Sequence, residues 1–228
     1  MVSRIENRNQ VVDTALRLLN EVGLDGLTLR RIAKELNVQA PALYWHFKNK
    51  QELLDEMATE MFRRMIAPML GEGREGAAPG PGWQDTLRGA CRGMRRQLLG
   101  YRDGGKVFSG TRMTDESYAR PLDNLLTRLT AAGFSPSLAA RAWWTAYSYT
   151  IGVVIEEQSV YPEPGEPEAR RPEDRDPAYD LESRARKIGE RYPLAAGAGV
   201  EMFGDMERNF EAGLQLIIAG VEATAAGG

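Results

Sequence analysis

Apolar residues in this chain recur at three- and four-residue spacing and seldom alternate, so the pattern predicts helices and almost no strand. Over residues 8–22, Val11, Val12, Ala15, Leu18, Leu19 and Val22 form one stripe that stops at Gly23. Thr28 supplies an N-cap hydroxyl for a second helix through Leu36. Asn37-Val38 reads as a turn. Pro41 falls in the first turn of a short third helix over residues 39–46, where its missing N–H costs nothing. Asn49-Lys50-Gln51-Glu52 resembles a capping box that opens a long helix to about Leu70.

Residues 71–82, GEGREGAAPGPG, predict a flexible loop. Helical periodicity returns near 83–99, 115–132, 136–158 and 201–224, with a weaker stretch around 181–191. Residues 161–180 are rich in Pro and acids and predict a disordered or mobile loop. The fold class expected is all-α, with a three-helix head over residues 1–50 and a larger helical body over residues 51–228.

Composition narrows the setting. Apolar residues make up 43% and charged residues 27% of 228 positions, which is ordinary for a globular protein. No uninterrupted apolar run reaches the roughly 18 residues of a membrane span. Charges interrupt the first twenty residues, so no secretory leader is expected there. A lone cysteine, Cys91, cannot form an internal disulfide, which fits a reducing cytoplasm. Net charge is −3, yet residues 1–50 hold eight Lys/Arg against five acids. A basic head on an acidic body suits a nucleic-acid-binding module fused to something with another task. An enzyme finds little support: no nucleophile–base pair or metal cluster is visible, and the Gly-rich loop lacks the ending of a phosphate loop.

Helix, tight turn, helix at 28–36 and 39–46, braced by the first helix, has helix-turn-helix spacing. In such a unit the second helix enters the major groove of DNA. Tyr44 and His46 then suit phosphate hydrogen bonds, Trp45 backbone and sugar contact, and Lys48 and Lys50 ion pairing. Arg30 reaches a guanine edge from the supporting helix. The competing reading makes Tyr44-Trp45-His46 a mere helix junction packed on the core. Helical spacing in any case turns one of the three inward. His46 lacks the partners a metal ligand or catalytic base needs.

The segment GLTLRRIAKELNVQAPALYWHFKNKQELLDEMATEM resembles the tetracycline-repressor (TetR) family of bacterial regulators. YRDGGKVFSGTR (101–112), GVVIEEQ (152–158) and FEAGLQLIIAGVEA (210–223) resemble the ligand-binding domain of that family's tetracycline-responsive branch. The resemblance implies a transcriptional repressor that binds a palindromic operator in double-stranded DNA as a homodimer and is released by a small molecule. Thr28, Arg30, Gln39, Ala40, Pro41, Ala42, Tyr44, Trp45, His46, Lys48 and Lys50 are the candidate DNA-binding residues. Ala40 and Ala42 replace a base-reading glutamine and a threonine of the family pattern, so the operator should differ. Gln39 is placed to supply the amide.

In that branch a histidine of a His-x-Gly-Thr-Arg motif and a distant glutamate hold a magnesium–drug chelate. Here the motif reads Phe108-Ser109-Gly110-Thr111-Arg112, so a phenyl ring stands at the metal-ligand position. Glu156 remains, but one carboxylate makes a poor magnesium site. Ile66, Ala90 and Met94 stand where the branch has His, Asn and Phe, and Asn124 replaces a drug-binding Gln. Trp143 and Tyr147 share a helical face and are assigned to the same cavity. With Thr111, Arg112 and Met113 these residues predict an aromatic, metal-free pocket for a flat multi-ring molecule, with no cofactor. A filled core without any ligand, in a constitutive DNA-binding protein, is the alternative. The stripe Phe203, Met206, Phe210, Gly213, Leu214, Ile217 and Val221 and the apolar helix 136–158 predict a four-helix dimer interface. Gly213 and Gly220 are expected to let a second helix approach.

Overall fold

The computed structural model describes residues 8–70 and 82–226. Among them the chain forms α1 (Arg8–Gly26), α2 (Leu29–Glu35), α3 (Ala40–Leu43), α4 (Lys50–Leu70), α5 (Trp83–Leu99), α6 (Gly104–Phe108), α7 (Ala119–Ala131), α8 (Pro136–Val160), α9 (Leu181–Gly189), α10 (Pro193–Phe203) and α11 (Met206–Ala226). The expected loop at 71–82 lies, apart from Gly82, outside the described residues.

Each head element begins and ends for a local reason. The regular turns of α1 break at Gly23, where φ is 67°. The break frees the Leu24 N–H, which donates to Asp103 Oδ2 at 2.9 Å. A β-carbon at position 23 would stand 3.0 Å from that same oxygen, so the junction wants glycine for space as well as for φ. Thr28 caps α2 by accepting from Arg31 N at 3.2 Å. Asn37 closes α2 in the left-handed region at φ 54°. Helix α3 is shorter than the periodicity predicts. It ends at Leu43, whose carbonyl accepts from both His46 and Phe47 as the chain turns away. Asn49 Oδ1 accepts from Glu52 N at 2.9 Å, while Glu52 Oε2 accepts from Lys48 N, one residue earlier than a strict capping box.

Head and body share one hydrophobic core. Leu19, Ile32, Leu43 and Phe47 from the head form a continuous cluster with Met57 of α4 and Met94, Leu98, Phe108 and Val154 from α5, α6 and α8. Burying a side chain such as Phe47 fully stabilises by about 1.5–3 kcal/mol relative to exposure. Helix α4 is the bridge that makes this possible.

Two elements escape the sequence pattern, α6 and α10, the first because its five residues fall below a readable period. Residues 161–180, where composition predicts a mobile loop, follow a defined course with 3-10 turns at Pro167–Ala169, Pro172–Asp174 and Pro177–Tyr179. Specific polar contacts place them. Arg170 Nη1 reaches the buried Glu157 at 2.5 Å, Arg175 Nη2 donates to Phe203 O at 2.8 Å, and Asp176 N donates to Val160 O at 2.8 Å. A composition argument misses such pairings because it averages the cations away.

Helix α11 packs Phe210, Leu214 and Ile218 against Leu87 and Cys91 of α5 and Ala146 of α8. The expected glycine-mediated helix approach takes a different form. Gly213 admits a side chain of the same subunit, since a β-carbon there would lie 2.1 Å from the Tyr149 hydroxyl. That hydroxyl donates toward the Phe210 and Asn209 carbonyls at 3.0 and 3.1 Å. Gly220 has open space around it. Phe203 closes α10 and is not part of the α11 stripe.

Candidate nucleic-acid interface and ligand pocket

The head exposes its aromatic surface. Tyr44 is 56% and Trp45 90% exposed, while Leu43 and Phe47 on either side of the triplet are fully buried. The inward packing expected of one member of Tyr44-Trp45-His46 therefore falls to Phe47, and His46 is half-buried. Nothing in the described core needs Trp45 where it stands. Gln39, Pro41 and Lys48 are exposed beside it, and Thr28 and Arg30 are exposed on the supporting element. Ala40 and Ala42 are half-buried, packed on the core cluster.

Lys50 has a second task. Its Nζ donates to the Leu24 carbonyl at 3.0 Å, across the α1 break. The same residue thus fixes the head's own geometry, a contact that spacing could not reveal. The segment is held from below by Glu52, whose carboxyl lies below its ordinary value. The Lys48 N–H is the main cause and acts against partial burial, with Arg8 adding to it.

The pocket candidates divide by chemistry. Met94 and Phe108 belong to the continuous core, and Met113, Trp143 and Tyr147 pack half-buried against it. The Trp143 and Tyr147 rings lie 5.9 Å apart at 52°. Burial pushes the Tyr147 phenol up, consistent with a dry environment. Ile66 is buried on α4, and Ala90 is half-buried in a cluster that also holds Trp143. Thr111 is half-buried, its hydroxyl turned back to the Phe108 carbonyl at 2.8 Å. Arg112, Asn124 and Glu156 are exposed in the single subunit. The fold therefore gathers the apolar members and leaves those three polar ones at the surface.

Magnesium asks for hard oxygen donors at short, near-octahedral distances. The ring of Phe108 is 3% exposed and offers none, and Glu156 faces outward, so these residues do not fit such a site. Among the described residues no group of three His, Cys, Asp or Glu side chains gathers where it could hold a metal ion. Cys91 is no nucleophile, because burial pushes its thiol up to about 11.

Several residues that sequence reasoning passed over tie the region around Phe108 to its surroundings. Gln158 is buried, accepts from Gly105 N at 2.9 Å and donates to Tyr101 O at 2.7 Å, pinning the start of α6 to α8. Asp55 Oδ1 accepts from Arg112 N at 3.1 Å, and Thr59 Oγ1 accepts from Thr114 N at 2.9 Å. The loop after Phe108 is thereby mounted on α4. A buried glutamine in an apolar helix was the one available signal.

Two family profiles match the chain. Bacterial regulatory proteins of the tetR family match residues 11–57, and the tetracyclin repressor-like C-terminal domain matches residues 76–225. The chain belongs to the TetR family. This TetR-family regulator is 38% identical over 215 residues to the class C tetracycline repressor protein of Escherichia coli, covering 94% of this chain and 90% of that one. Matches to the class D and class H repressors, at 42% identity, span 66% of those proteins' length. Among solved structures, a possible TetR family transcriptional regulator from Streptomyces coelicolor A3(2) is similar at 37% identity, with a TM-score of 0.76, over 96% of this chain and 100% of that one. A TetR variant from Acinetobacter baumannii AYE in complex with minocycline is similar at 30% identity and a TM-score of 0.67, over 97% and 99%. Among the described residues of the TetR-family chain, no helix is long and apolar enough to cross a membrane.

Proposed function

We propose that this TetR-family chain is a ligand-responsive repressor that binds a palindromic operator as a homodimer in the cytoplasm. A multi-ring aromatic molecule releases it, and the regulated gene belongs to efflux or antibiotic response. The observation that carries the DNA half is Trp45, 90% exposed beside Tyr44 and Lys48 on a segment whose own core is complete without it. A dimer follows from the same need, since two heads about 34–36 Å apart read successive major grooves and one head reads too little. The solvent-facing Trp144 on α8 and Leu216 on α11, 66% and 75% exposed, supply apolar surface for the partner subunit.

The inducer half rests on the apolar grouping of Met94, Phe108, Met113, Trp143 and Tyr147. Aromatic walls favour flat, multi-ring ligands, and the minocycline bound by the Acinetobacter relative has that shape. Phe108 in place of a metal ligand separates this chain from a magnesium-dependent response. A division near residue 50, with α4 counted in the body, fits this reading, because α4 carries the signal between the two. The constitutive alternative would use the Trp143–Tyr147 pair as core packing alone, and the release assay below separates the two readings.

The test starts from a duplex selected by the protein out of a random pool. Minocycline and a panel of polycyclic aromatic polyketides are then titrated against the complex in excess EDTA. Release by at least one compound, unchanged by the chelator, is expected. Release that occurs only with magnesium present defeats the metal-free pocket. Spin labels at Gln39 of both subunits should change separation by several ångströms on release, because a ligand must favour the DNA-incompetent arrangement to act at all.

A further inference from the structure

The loop that follows Phe108 and the segment that bears Trp45 are joined by side chains, and the joint passes through one carboxylate. Asp115, in that loop, takes both Nε and Nη2 of Arg63 on its Oδ2, at 2.9 and 2.6 Å. The same Arg63 Nη2 reaches Glu56 Oε1 at 3.2 Å. The other oxygen of Glu56 faces Arg8 Nε at 3.5 Å, a charge contact without a hydrogen bond. Arg8 then does two things. Its guanidinium lies 4.5 Å above the ring of Phe47, and its Nη2 reaches Glu52 Oε1 at 3.2 Å. Glu52 Oε2 in turn accepts the Lys48 N–H at 2.8 Å. Phe47 and Lys48 directly follow Tyr44-Trp45-His46.

We propose that the line Asp115–Arg63–Glu56–Arg8 is the route by which the pocket loop sets the seating of the DNA-reading segment, with Glu56 as the positioning residue at its centre. This rests on the ligand-responsive reading given above. Isolated surface ion pairs contribute little, so the ordinary explanation is four unrelated decorations of α4. Three observations weigh against it. Glu56 is the most buried member, at 8% exposure, and a buried carboxylate cannot lose a partner cheaply. Its two oxygens are divided between cations of different elements, one from α4 and one from α1. Arg63 is likewise shared, between Glu56 and Glu60 on its own helix and Asp115 on the loop.

Sharing gives the line two states. With Asp115 in place, Arg63 is drawn toward the loop and Glu56 retains a free hand for Arg8. When the loop moves and takes Asp115 away, Arg63 keeps only its two carboxylates on α4 and pulls Glu56 toward itself. Arg8 then loosens over Phe47, and Glu52 and Lys48 follow. Helix α6 directs motion this way. Its start is pinned to α8 through Gln158, whereas Gly110 after its end sits at φ 74° with open space around it.

Spatial intermediacy alone does not establish coupling, so the test is a mutant cycle between the ends, which do not touch. Amide hydrogen exchange at Phe47 and Lys48 is measured in Asp115→Asn, Arg8→Gln, the double variant and Asp115→Glu. Asp115→Asn should speed both amides by about fivefold, the lower range of measured site-to-site couplings. The double variant should exchange no faster than Arg8→Gln alone, and Asp115→Glu should stay near wild type. Amides of α8 around Thr150 report global stability and should not change. Acceleration confined to residues 111–117, or effects of the two ends that multiply, overturns the route. Selection from a random pool that enriches no duplex would end the repressor reading and leave this result standing.

Discussion

The head's proposed DNA-reading surface lies outside, and the body's proposed ligand-facing surface lies inside. Trp45 is 90% exposed and Phe108 is 3% exposed, although both are large, apolar and central to their regions. An exposed tryptophan has no packing reason to exist, so its identity answers to whatever it touches. A buried phenylalanine answers first to its neighbours, and volume-conserving exchange among apolar groups is tolerated. The head resembles its family at Arg30, Pro41, Tyr44, Trp45, His46 and Lys50, and departs from it at Ala40 and Ala42. By resemblance the proposed pocket carries Phe108, Ile66 and Met94 in place of His, His and Phe, inside a fold of the same family.

That contrast predicts different failures on mutation. The largest effect belongs to the body's buried charge. Glu157, 1% exposed, holds Arg95 bidentately at 2.8 and 2.9 Å and Arg170 at 2.5 Å. Glu157→Ala leaves two buried guanidiniums short of a partner and should cost about 3–5 kcal/mol in thermal or denaturant unfolding. A loss under about 1 kcal/mol would mean that the seam under residues 161–180 is decorative.

Next comes Phe108, in the proposed pocket wall. Phe108→His places a polar ring in a dry site and should cost about 1–3 kcal/mol, read from the shift of the denaturation midpoint. Tetracycline with magnesium should still fail to release this variant from its selected duplex, because Glu156 remains exposed in each subunit. Magnesium-dependent release would show that the histidine alone was missing.

A smaller effect separates the two regions at their joint. Lys106, Leu24 N and Arg102 hold the Asp103 carboxyl below the ordinary value of 3.8, against the opposing and larger single influence of burial. A depressed folded value contributes stability that is present above the ordinary value and lost as pH falls through the folded one. The slope of stability against pH below 3.8 should flatten in Asp103→Asn. An unchanged slope would remove Asp103 from the junction.

How much of this was legible follows the same division. The head reads from sequence because its signals are local: Thr28 as a cap, Pro41 in a first turn, and Asn49 with Glu52. Even so, α3 proved to be four residues long, since the Leu43 carbonyl serves two amides at once and no periodicity records that. Phe108 became a pocket candidate through resemblance and Trp143 through the helical face it shares with Tyr147, while the cluster that joins them is a long-range fact. Lys50 shows the limit most clearly. Its charge beside Trp45 suggested phosphate, and its nitrogen holds the Leu24 carbonyl. The course of residues 161–180 was hidden for the same reason, because Arg170 finds a carboxylate on a different helix.

The smallest expected change in stability tests the account most directly. Trp45→Ala should alter unfolding free energy by no more than about 0.5 kcal/mol, as for other exposed sites free of special contacts. The decisive measurement is the affinity of wild type and Trp45→Ala for the selected palindrome and for its scrambled counterpart, at several salt concentrations. Wild type should prefer the palindrome by about a thousandfold or more, with affinity falling steeply as salt rises. Trp45→Ala should lose affinity while remaining folded. Equal affinity of the wild type for palindrome and scrambled duplex, or a folded Trp45→Ala that binds as tightly as wild type, would contradict the claim that this exposed segment reads DNA.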